Sequence, residues 1–258
     1  TALDDDTAVL MLTHVNYRDG SLHDMADLTR AAHDAGALVV WDLAHSAGAL
    51  RVDLAGCHAD FAVGCGYKYL NGGPGAPAFL YAAPRHHGGF RQPLSGWFGH
   101  RDPFEFTPQY DAAGDIGQYL CGTPPVLSMV ALDAALDVWE GVNMTALRAK
   151  SQALTGYFIE LVETRCAGHG LTLISPRDPD SRGSQISFTH AEGGYAIISA
   201  LIAEGVIGDF RAPDVLRFGF TPLYTSFADV WHAVDRMAAI MNERRWDKPE
   251  FHARKAVT

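Results

Sequence analysis

The stretch FAVGCGYKYLNGGPG (61–75) joins an apolar run to a lysine between two tyrosines, followed by a glycine-rich turn. Residues 61–66 are almost without polarity, which is typical of a buried strand. The glycines after the lysine let the backbone approach other groups closely. A lysine at the end of a strand is usually a solvated tip, but here it separates a buried strand from such a turn. Lys68 is therefore the first candidate for chemistry.

The segments around this stretch alternate between strand and helix patterns. Apolar runs at 7–15, 37–45, 60–66 and 77–82 predict strands, and 24–36 has helical spacing with a glycine at its end. Near-continuous apolar strands in a βαβ rhythm are typical of a parallel or mixed sheet that is covered by helices. The sequence therefore predicts an α/β fold.

The pattern changes after that sheet. Residues 83–122 form a long loop rich in glycine, proline and aromatics, and a loop of that length is more often functional than idle. A helix is predicted at 124–142. From about 145 onward, helices at 145–168, 194–204 and 226–244 and strands at 171–175, 184–190 and 215–220 indicate a second, smaller α/β domain. We therefore divide the chain into a first domain at 1–142 and a second at 143–258. We interpret residues 244–258 as a solvated terminus.

Composition excludes several classes of protein. The chain has 258 residues, of which 48% are hydrophobic, so it can bury a substantial core. Its net charge of -10 disfavours nucleic acid and anionic membranes as partners. We find neither a signal-peptide pattern nor an apolar run that approaches the roughly 18 residues of a membrane span. The four scattered cysteines indicate reduced thiols and a cytoplasmic protein.

Two further polar residues belong with Lys68. Asp42 ends the strand before it, and His45 follows three residues later. Because the carboxyl ends of parallel strands collect ligands, all three side chains could reach one crevice. A structural ion pair or a metal-dependent hydrolase would also use such residues. They equally meet the needs of pyridoxal phosphate, since an amine binds its aldehyde and a carboxylate keeps its pyridine nitrogen protonated.

Six motifs resemble kynureninase, a pyridoxal-phosphate enzyme of the aspartate aminotransferase-like fold (fold type I). They are MLTHVNYRDGSLHDM (11–25), WDLAHSAGALRVDL (41–54), GYKYLNGGPGAPAFLY (66–81), GWFGH (96–100), GTPPVLS (122–128) and LRFGFTPLY (216–224). The resemblance covers essentially the whole chain. It implies that 1–142 is the C-terminal part of the large cofactor-binding domain and that 143–258 is the small C-terminal domain.

The resemblance also implies roles for residues of the first domain. Lys68 would form the Schiff base with pyridoxal 5'-phosphate, and Asp42 would hold the pyridine nitrogen. His45 would lie beside the cofactor ring, unless it is simply a structural histidine. Tyr67 would bind the cofactor phosphate and shuttle a proton, unless it is an ordinary core tyrosine. For both tyrosine and lysine to serve one site, Lys68 must lie beyond the last strand hydrogen bond, because side chains alternate along a strand.

Four other residues match cofactor or substrate positions of the family. Thr13, Trp97 and Thr123 match cofactor contacts, and the last two arrive from the neighbouring subunit, which implies a homodimer. Alternatively, Thr13 is only a hydroxyl at the end of a strand, Trp97 only packs within its loop, and Thr123 is a helix N-cap. Arg217 matches the arginine that grips the substrate α-carboxylate, a task that suits its forked guanidinium. The alternative for Arg217 is an internal ion pair.

The implied activity is hydrolysis of L-kynurenine to anthranilate and L-alanine, in tryptophan degradation and NAD biosynthesis. A cysteine desulfurase-like lyase is an alternative, but Cys121 is expected to be an ordinary buried cysteine. His86 and His87 are expected in a solvated loop rather than at a metal. The residues do not decide between kynurenine and 3-hydroxykynurenine, although Thr123 leans towards the unsubstituted form.

The resemblance begins partway through the large domain. The family's N-terminal portion supplies phosphate-binding hydroxyls and a ring stacked on the cofactor, and it is not in this chain. We therefore expect that portion as a second polypeptide in the same particle. Alone, this chain is expected to be inactive, which leaves an inactive fragment as a further alternative.

Overall fold

The computed structural model describes residues 3–254, which form two compact units. The first unit contains residues 3–14, 24–47 and 52–141, and the second contains the remaining described residues. Two short segments, 15–23 and 48–51, therefore belong to the second unit although they interrupt the first in sequence. The assignment of 1–142 and 143–258 to the family's large and small domains stays a proposal.

The first unit is built on a four-stranded sheet. Its strands are β1 (Val9–Thr13), β2 (Leu38–Asp42), β3 (Phe61–Cys65) and β4 (Ala78–Ala82), in that spatial order. The first three strands are parallel, and β4 is antiparallel to β3. The prediction of a parallel or mixed sheet is thus confirmed.

Helix α1 (Met25–Asp34) connects β1 to β2. It begins where the Asp24 carboxylate accepts a hydrogen bond from the backbone N–H of Asp27, at 2.9 Å, which satisfies one of the free donors of the first turn. It ends before Gly36, whose φ of +78° suits glycine. Its buried residues pack with Val39 and Trp41 in the core of this unit.

The segment between β4 and the next helix has little regular structure. It contains short 3-10 turns at Pro84–His86, Trp97–Gly99 and Ile116–Tyr119, as expected for a long loop. Helix α2 (Val126–Leu136) follows and is apolar on all sides, yet none of its residues is buried within this chain. Leu127, for example, is 89% exposed.

The second unit contains an antiparallel sheet and the remaining helices. The helices are α3 (Met144–Arg165), α4 (Gly194–Ala203), α5 (Phe227–Asn242) and α6 (Pro249–His252). The strands are β5 (Thr172–Leu173), β6 (Gln185–Thr189), β7 (Asp209–Arg211) and β8 (Val215–Gly219), in the spatial order β5-β6-β8-β7. Strand β7 and helix α6 were not predicted from the sequence.

The interpretation of 244–258 as a solvated terminus is wrong for its described part. Trp246 is buried in the core of the second unit, and Phe251 of α6 packs against that core. A Cβ atom at Gly193 would lie 2.5 Å from the Trp246 ring, so a glycine is needed there for the tryptophan to pack. Residues 255–258 lie outside the described part of the chain.

All four cysteines are free thiols, as predicted. Burial raises the pKa of Cys166 to about 11, so this thiol stays protonated at neutral pH. Within residues 3–254, no helix is both long enough and apolar enough to cross a bilayer.

Candidate active site

Three strand ends meet at the carboxyl edge of the parallel strands. Thr13 is the last residue of β1 and lies directly opposite Asp42, the last residue of β2. The neighbouring strand β3 ends at Cys65, and Lys68 lies three residues farther along the chain. The prediction that Lys68 lies beyond the end of its strand is confirmed. The fold thereby places a hydroxyl, a carboxylate and an amine after three adjacent strands.

The glycine-rich turn explains how the chain is redirected at Lys68. The Gly66 N–H donates to the Pro77 carbonyl at 3.0 Å, and the Gly72 N–H returns to the Gly66 carbonyl at 2.9 Å. A Cβ atom at either glycine would lie 2.8 Å from its carbonyl partner, so a larger residue would force the turn open. Inside this loop the Asn71 N–H donates to the Lys68 carbonyl at 2.9 Å. The turn therefore holds the lysine backbone from both sides.

The Lys68 amine has two close side-chain neighbours. Its Nζ atom lies 3.0 Å from Nε2 of His45 and 5.4 Å from the centre of the Tyr67 ring. Adjacent side chains of an extended strand could not meet in this way, which agrees with the end of β3 at Cys65. His45 and Lys68 are half-buried, whereas Tyr67 is 48% exposed. The amine thus lies between an imidazole and a phenol.

The Asp42 carboxylate is oriented by the chain that follows it. Its Oδ1 atom accepts a hydrogen bond from the Ala44 N–H at 2.8 Å. A carboxylate can accept several hydrogen bonds, so this contact fixes its direction and leaves capacity for a protonated pyridine nitrogen. An amine that can bind the aldehyde and an oriented carboxylate that can hold the pyridine nitrogen are the groups that pyridoxal phosphate requires, and the Thr13 hydroxyl lies at the same sheet edge. The residues present therefore fit this cofactor.

Trp97 and Thr123 lie in the irregular segment of the first unit, and both are exposed. The Trp97 ring packs edge-on against Phe98 and Phe104. Thr123 does not cap α2, because the N-cap position is Pro125, which makes no side-chain capping bond. The N-cap explanation for Thr123 is therefore wrong, and its exposed hydroxyl is open to another contact.

Arg217 lies in the second unit, on β8, and it forms an internal ion pair, the alternative considered from the sequence. Its guanidinium pairs with Asp209 of β7, and Nη1 donates to the Tyr17 carbonyl at 2.7 Å. Only 11% of the arginine side chain is exposed, so a charged partner is required at this position. The sequence analysis missed Asp209. The signal for it was the alternation of polar and apolar residues in DFR (209–211), before the turn that leads into VLRFGF.

Two expectations outside the site are corrected. His86 is not in a solvated loop: its Nε2 atom lies 2.6 Å from Oδ1 of Asp60, and its ring stacks on Phe61. Cys121 is exposed rather than buried, with its Sγ atom 2.8 Å from the Leu94 carbonyl oxygen. Over the described range 3–254, no group of three or more His, Cys, Asp or Glu side chains is arranged to hold a metal.

Sequence comparison extends the resemblance to the whole chain. The family described as "Kynureninase C-terminal domain" matches residues 147–237. Kynureninase of Burkholderia mallei strain SAVP1 is 56% identical over 257 residues, and that of Pseudomonas fluorescens is 54% identical. The chain is thus similar to kynureninases along its length. In each case the alignment covers 100% of this chain and 62% of the relative's length. The kynureninase resemblance inferred from the motifs is thereby confirmed.

Solved structures support the fold assignment. A cysteine desulfurase from Thermococcus onnurineus NA1 superposes with a TM-score of 0.76 at 20% identity, covering 93% of this chain and 65% of the other. An alanine–glyoxylate aminotransferase from Nostoc sp. gives a TM-score of 0.65 at 18% identity, covering 91% of this chain and 62% of the other. At such identities the likeness concerns the fold alone. The predicted fold type I, shared with kynureninase, is confirmed.

Proposed function

We propose that the protein containing this chain hydrolyses L-kynurenine to anthranilate and L-alanine with pyridoxal 5'-phosphate. The observation that carries the proposal is the 56% identity to kynureninase over 257 residues, in a chain that keeps Lys68 and Asp42 at one sheet edge. The chain spans 62% of the length of these relatives. We further propose that the active protein includes a separate N-terminal chain of the same particle.

Each residue of the lysine cluster has a proposed task. Asp42, directed by the Ala44 N–H, holds the pyridine nitrogen in its protonated form. Lys68 provides the amine that anchors the cofactor and, once the substrate amine has replaced it, removes the α-proton. His45, at 3.0 Å from that amine, exchanges a proton with it. When bound, the cofactor supplies an electron sink next to the substrate α-carbon.

The remaining residues bind and orient. Tyr67 binds the cofactor phosphate and donates a proton, which is supported by the position of its exposed ring beside Lys68. Thr13, Trp97 and Thr123 contact the cofactor, the last two from a second subunit of a homodimer. Arg217 binds the substrate α-carboxylate. We place this hydrolysis in tryptophan degradation, and the protein in the cytoplasm.

The test uses the complete protein, purified with pyridoxal phosphate and L-kynurenine. Anthranilate is followed by its fluorescence, and alanine is measured in a separate coupled assay. Borohydride reduction followed by peptide mapping should place a pyridoxyl group on Lys68, and Lys68→Ala should abolish both labelling and turnover. Lys150→Ala, on α3, is the matched control and should change neither. Labelling of Lys150 instead, or no anthranilate from the unreduced, cofactor-loaded protein, would refute the proposal.

The exposed thiol of Cys121 favours one alternative, a cysteine desulfurase-like lyase. Such an enzyme would use a loop cysteine as the sulfur acceptor, so its activity would depend on this residue. If the protein is a kynurenine hydrolase, Cys121→Ser should keep anthranilate production within about twofold, since surface substitutions away from a site have small effects. Release of sulfide from L-cysteine that disappears in Cys121→Ser would favour the alternative.

A further inference from the structure

The guanidinium of Arg217 is held on one edge by Asp209. The two residues lie directly opposite each other on the antiparallel strands β8 and β7. Nε of Arg217 lies 3.0 Å from Oδ1 and 3.1 Å from Oδ2 of Asp209, and Nη2 also donates to Oδ2. This side-on pair uses the edge of the guanidinium nearest the main chain. The aspartate therefore sets the plane in which the fork lies.

A backbone carbonyl holds the same guanidinium from a second direction. Nη1 donates to the Tyr17 carbonyl at 2.7 Å. The loop that carries this carbonyl is itself fixed, because Nε2 of the buried Gln185 donates to the carbonyls of Asn16 and Tyr17, at 3.2 and 3.0 Å. Gly20 closes the loop with φ of +76°, and a Cβ atom there would lie 2.8 Å from the Gln185 carbonyl oxygen. The loop therefore has little freedom to shift.

These contacts leave the arginine able to bind an anion. A guanidinium has five N–H groups. Nε, one N–H of Nη2 and one of Nη1 are used by Asp209 and Tyr17, so one N–H on each terminal nitrogen is not used by these bonds. Arg211 also lies near Asp209, at 3.5 Å, so two arginines and one aspartate carry a formal charge of +1. A carboxylate can thus be attracted and bound without displacing Asp209.

We propose that Asp209 is a positioning residue for substrate binding: it orients Arg217 so that the two remaining N–H groups grip the α-carboxylate. The inference rests on the proposed function, in which Arg217 binds that carboxylate. An arginine side chain that is already oriented loses less conformational entropy when the ligand binds. Without Asp209, the Arg217 guanidinium would keep its own charge, but its orientation would not be fixed.

The experiment compares two ligands in the complete, cofactor-loaded protein. L-Kynurenine carries the α-carboxylate, whereas kynuramine is the corresponding amine without it. Binding is measured by titration calorimetry in a cofactor-loaded Lys68→Ala background, which should not cleave kynurenine, and KM and kcat are measured in parallel with Lys68 intact. We expect Asp209→Ala and Asp209→Asn to weaken kynurenine binding about ten- to hundredfold, the effect of a lost charge-assisted contact. Kynuramine binding should stay unchanged, whereas the melting temperature should fall because the largely buried Arg217 loses its charged partner.

Two further variants separate positioning from simple destabilisation. Asp214→Asn, on the same hairpin, is the matched control, because the Asp214 carboxylate faces Arg18, at 3.8 Å, rather than Arg217. In a protein that already carries Arg217→Lys, Asp209→Asn should add little, since it acts through the arginine. Asp209→Glu should recover part of the loss.

The outcomes distinguish this inference from the proposed function. Equal losses for kynurenine and kynuramine, or normal kynurenine binding by Asp209→Ala, would overturn the positioning role even in an active enzyme. If the wild-type protein binds kynurenine without cleaving it, the proposed hydrolysis is wrong, while the binding comparison still decides the role of Asp209. A wild-type protein that does not bind kynurenine would refute both.

Discussion

The Nζ atom of Lys68 and the Nε2 atom of His45 are 3.0 Å apart, although 23 residues separate them in the chain. The two residues follow adjacent parallel strands, β3 and β2, on the same edge of the sheet. An imidazole at hydrogen-bonding distance from an amine can take up or return a proton. This contact gives His45 a more specific task than stacking beside a cofactor ring.

His45→Ala should slow kynurenine turnover by about 10²-fold, the lower end of the range for a lost proton-transfer group. Lys68 would still be present, so borohydride labelling of the lysine should persist. The measurement is kcat together with the extent of labelling. His87→Ala is the control, since the His87 ring lies away from Lys68, with its Nε2 atom 3.2 Å from the Ala82 carbonyl oxygen. Normal kcat in His45→Ala would leave the histidine a purely structural role.

Tyr67→Phe should keep the cofactor on Lys68 but lower kcat by roughly 10²–10⁴-fold, as expected when a positioned proton donor is removed. The aromatic ring beside the lysine would be retained, so cofactor labelling should change little. Tyr81→Phe, on β4, removes a hydroxyl elsewhere in the same unit and serves as the control. If Tyr67→Phe turned over at the normal rate, the residue would contribute packing only.

Arg217→Lys should raise the KM for kynurenine much more than it weakens cofactor binding. Lysine keeps the charge but cannot make a forked contact with a carboxylate. The loss should be about ten- to hundredfold in kcat/KM, comparable to removing a charge-assisted hydrogen bond. Cofactor affinity is measured separately by absorbance titration. Arg236→Lys, on α5, is the control. Equal losses for substrate and cofactor would mark Arg217 as structural.

Asp60 is a buried carboxylate whose protonation should control the stability of the first unit. Its side chain is 2% exposed and contacts His33, His86 and Arg85, at 2.8, 2.6 and 2.6 Å. Burial raises the pKa of Asp60, but hydrogen bonds from His33, His86, the Val39 N–H and Arg85 outweigh it and hold the pKa well below its ordinary value.

The sign of the pH dependence follows from that depressed pKa. The stabilisation is fully present above the ordinary carboxylate pKa, near 4 in the unfolded chain, and is lost as the pH falls from there towards the folded-state value. Asp60→Asn should therefore cost roughly 3–5 kcal/mol of unfolding free energy at pH 7, as expected when one partner of a buried charge network is removed. The difference from wild type should shrink below about pH 4.

Chemical denaturation at a series of pH values tests this prediction. Asp27→Asn is the control, because Asp27 pairs with Arg30 on the exposed face of α1 and surface pairs contribute little. A difference between wild type and Asp60→Asn that stays constant down to pH 2 would show that the carboxylate charge is not what stabilises the unit.

The sequence by itself determined the order and type of most elements. Strands β2 and β3 were predicted because their residues are apolar without interruption, and α1 because its apolar spacing ends at a glycine. Such patterns are local, so they can be found without knowing what lies across the fold. The position of Lys68 beyond its strand was predicted because Tyr67 and Lys68 could serve one site only past the end of the strand, where the glycine-rich turn redirects the chain.

Only the tertiary structure decided which polar groups meet. Asp209 faces Arg217 because of the register of a hairpin whose first strand has only three residues and no apolar run. The Tyr17 carbonyl, which also binds Arg217, is 200 residues away from it in sequence. His86 reaches the buried Asp60 for a similar reason, across 26 residues. A charged side chain is buried only where a partner compensates it, and that partner is chosen by long-range packing, which a local pattern does not contain.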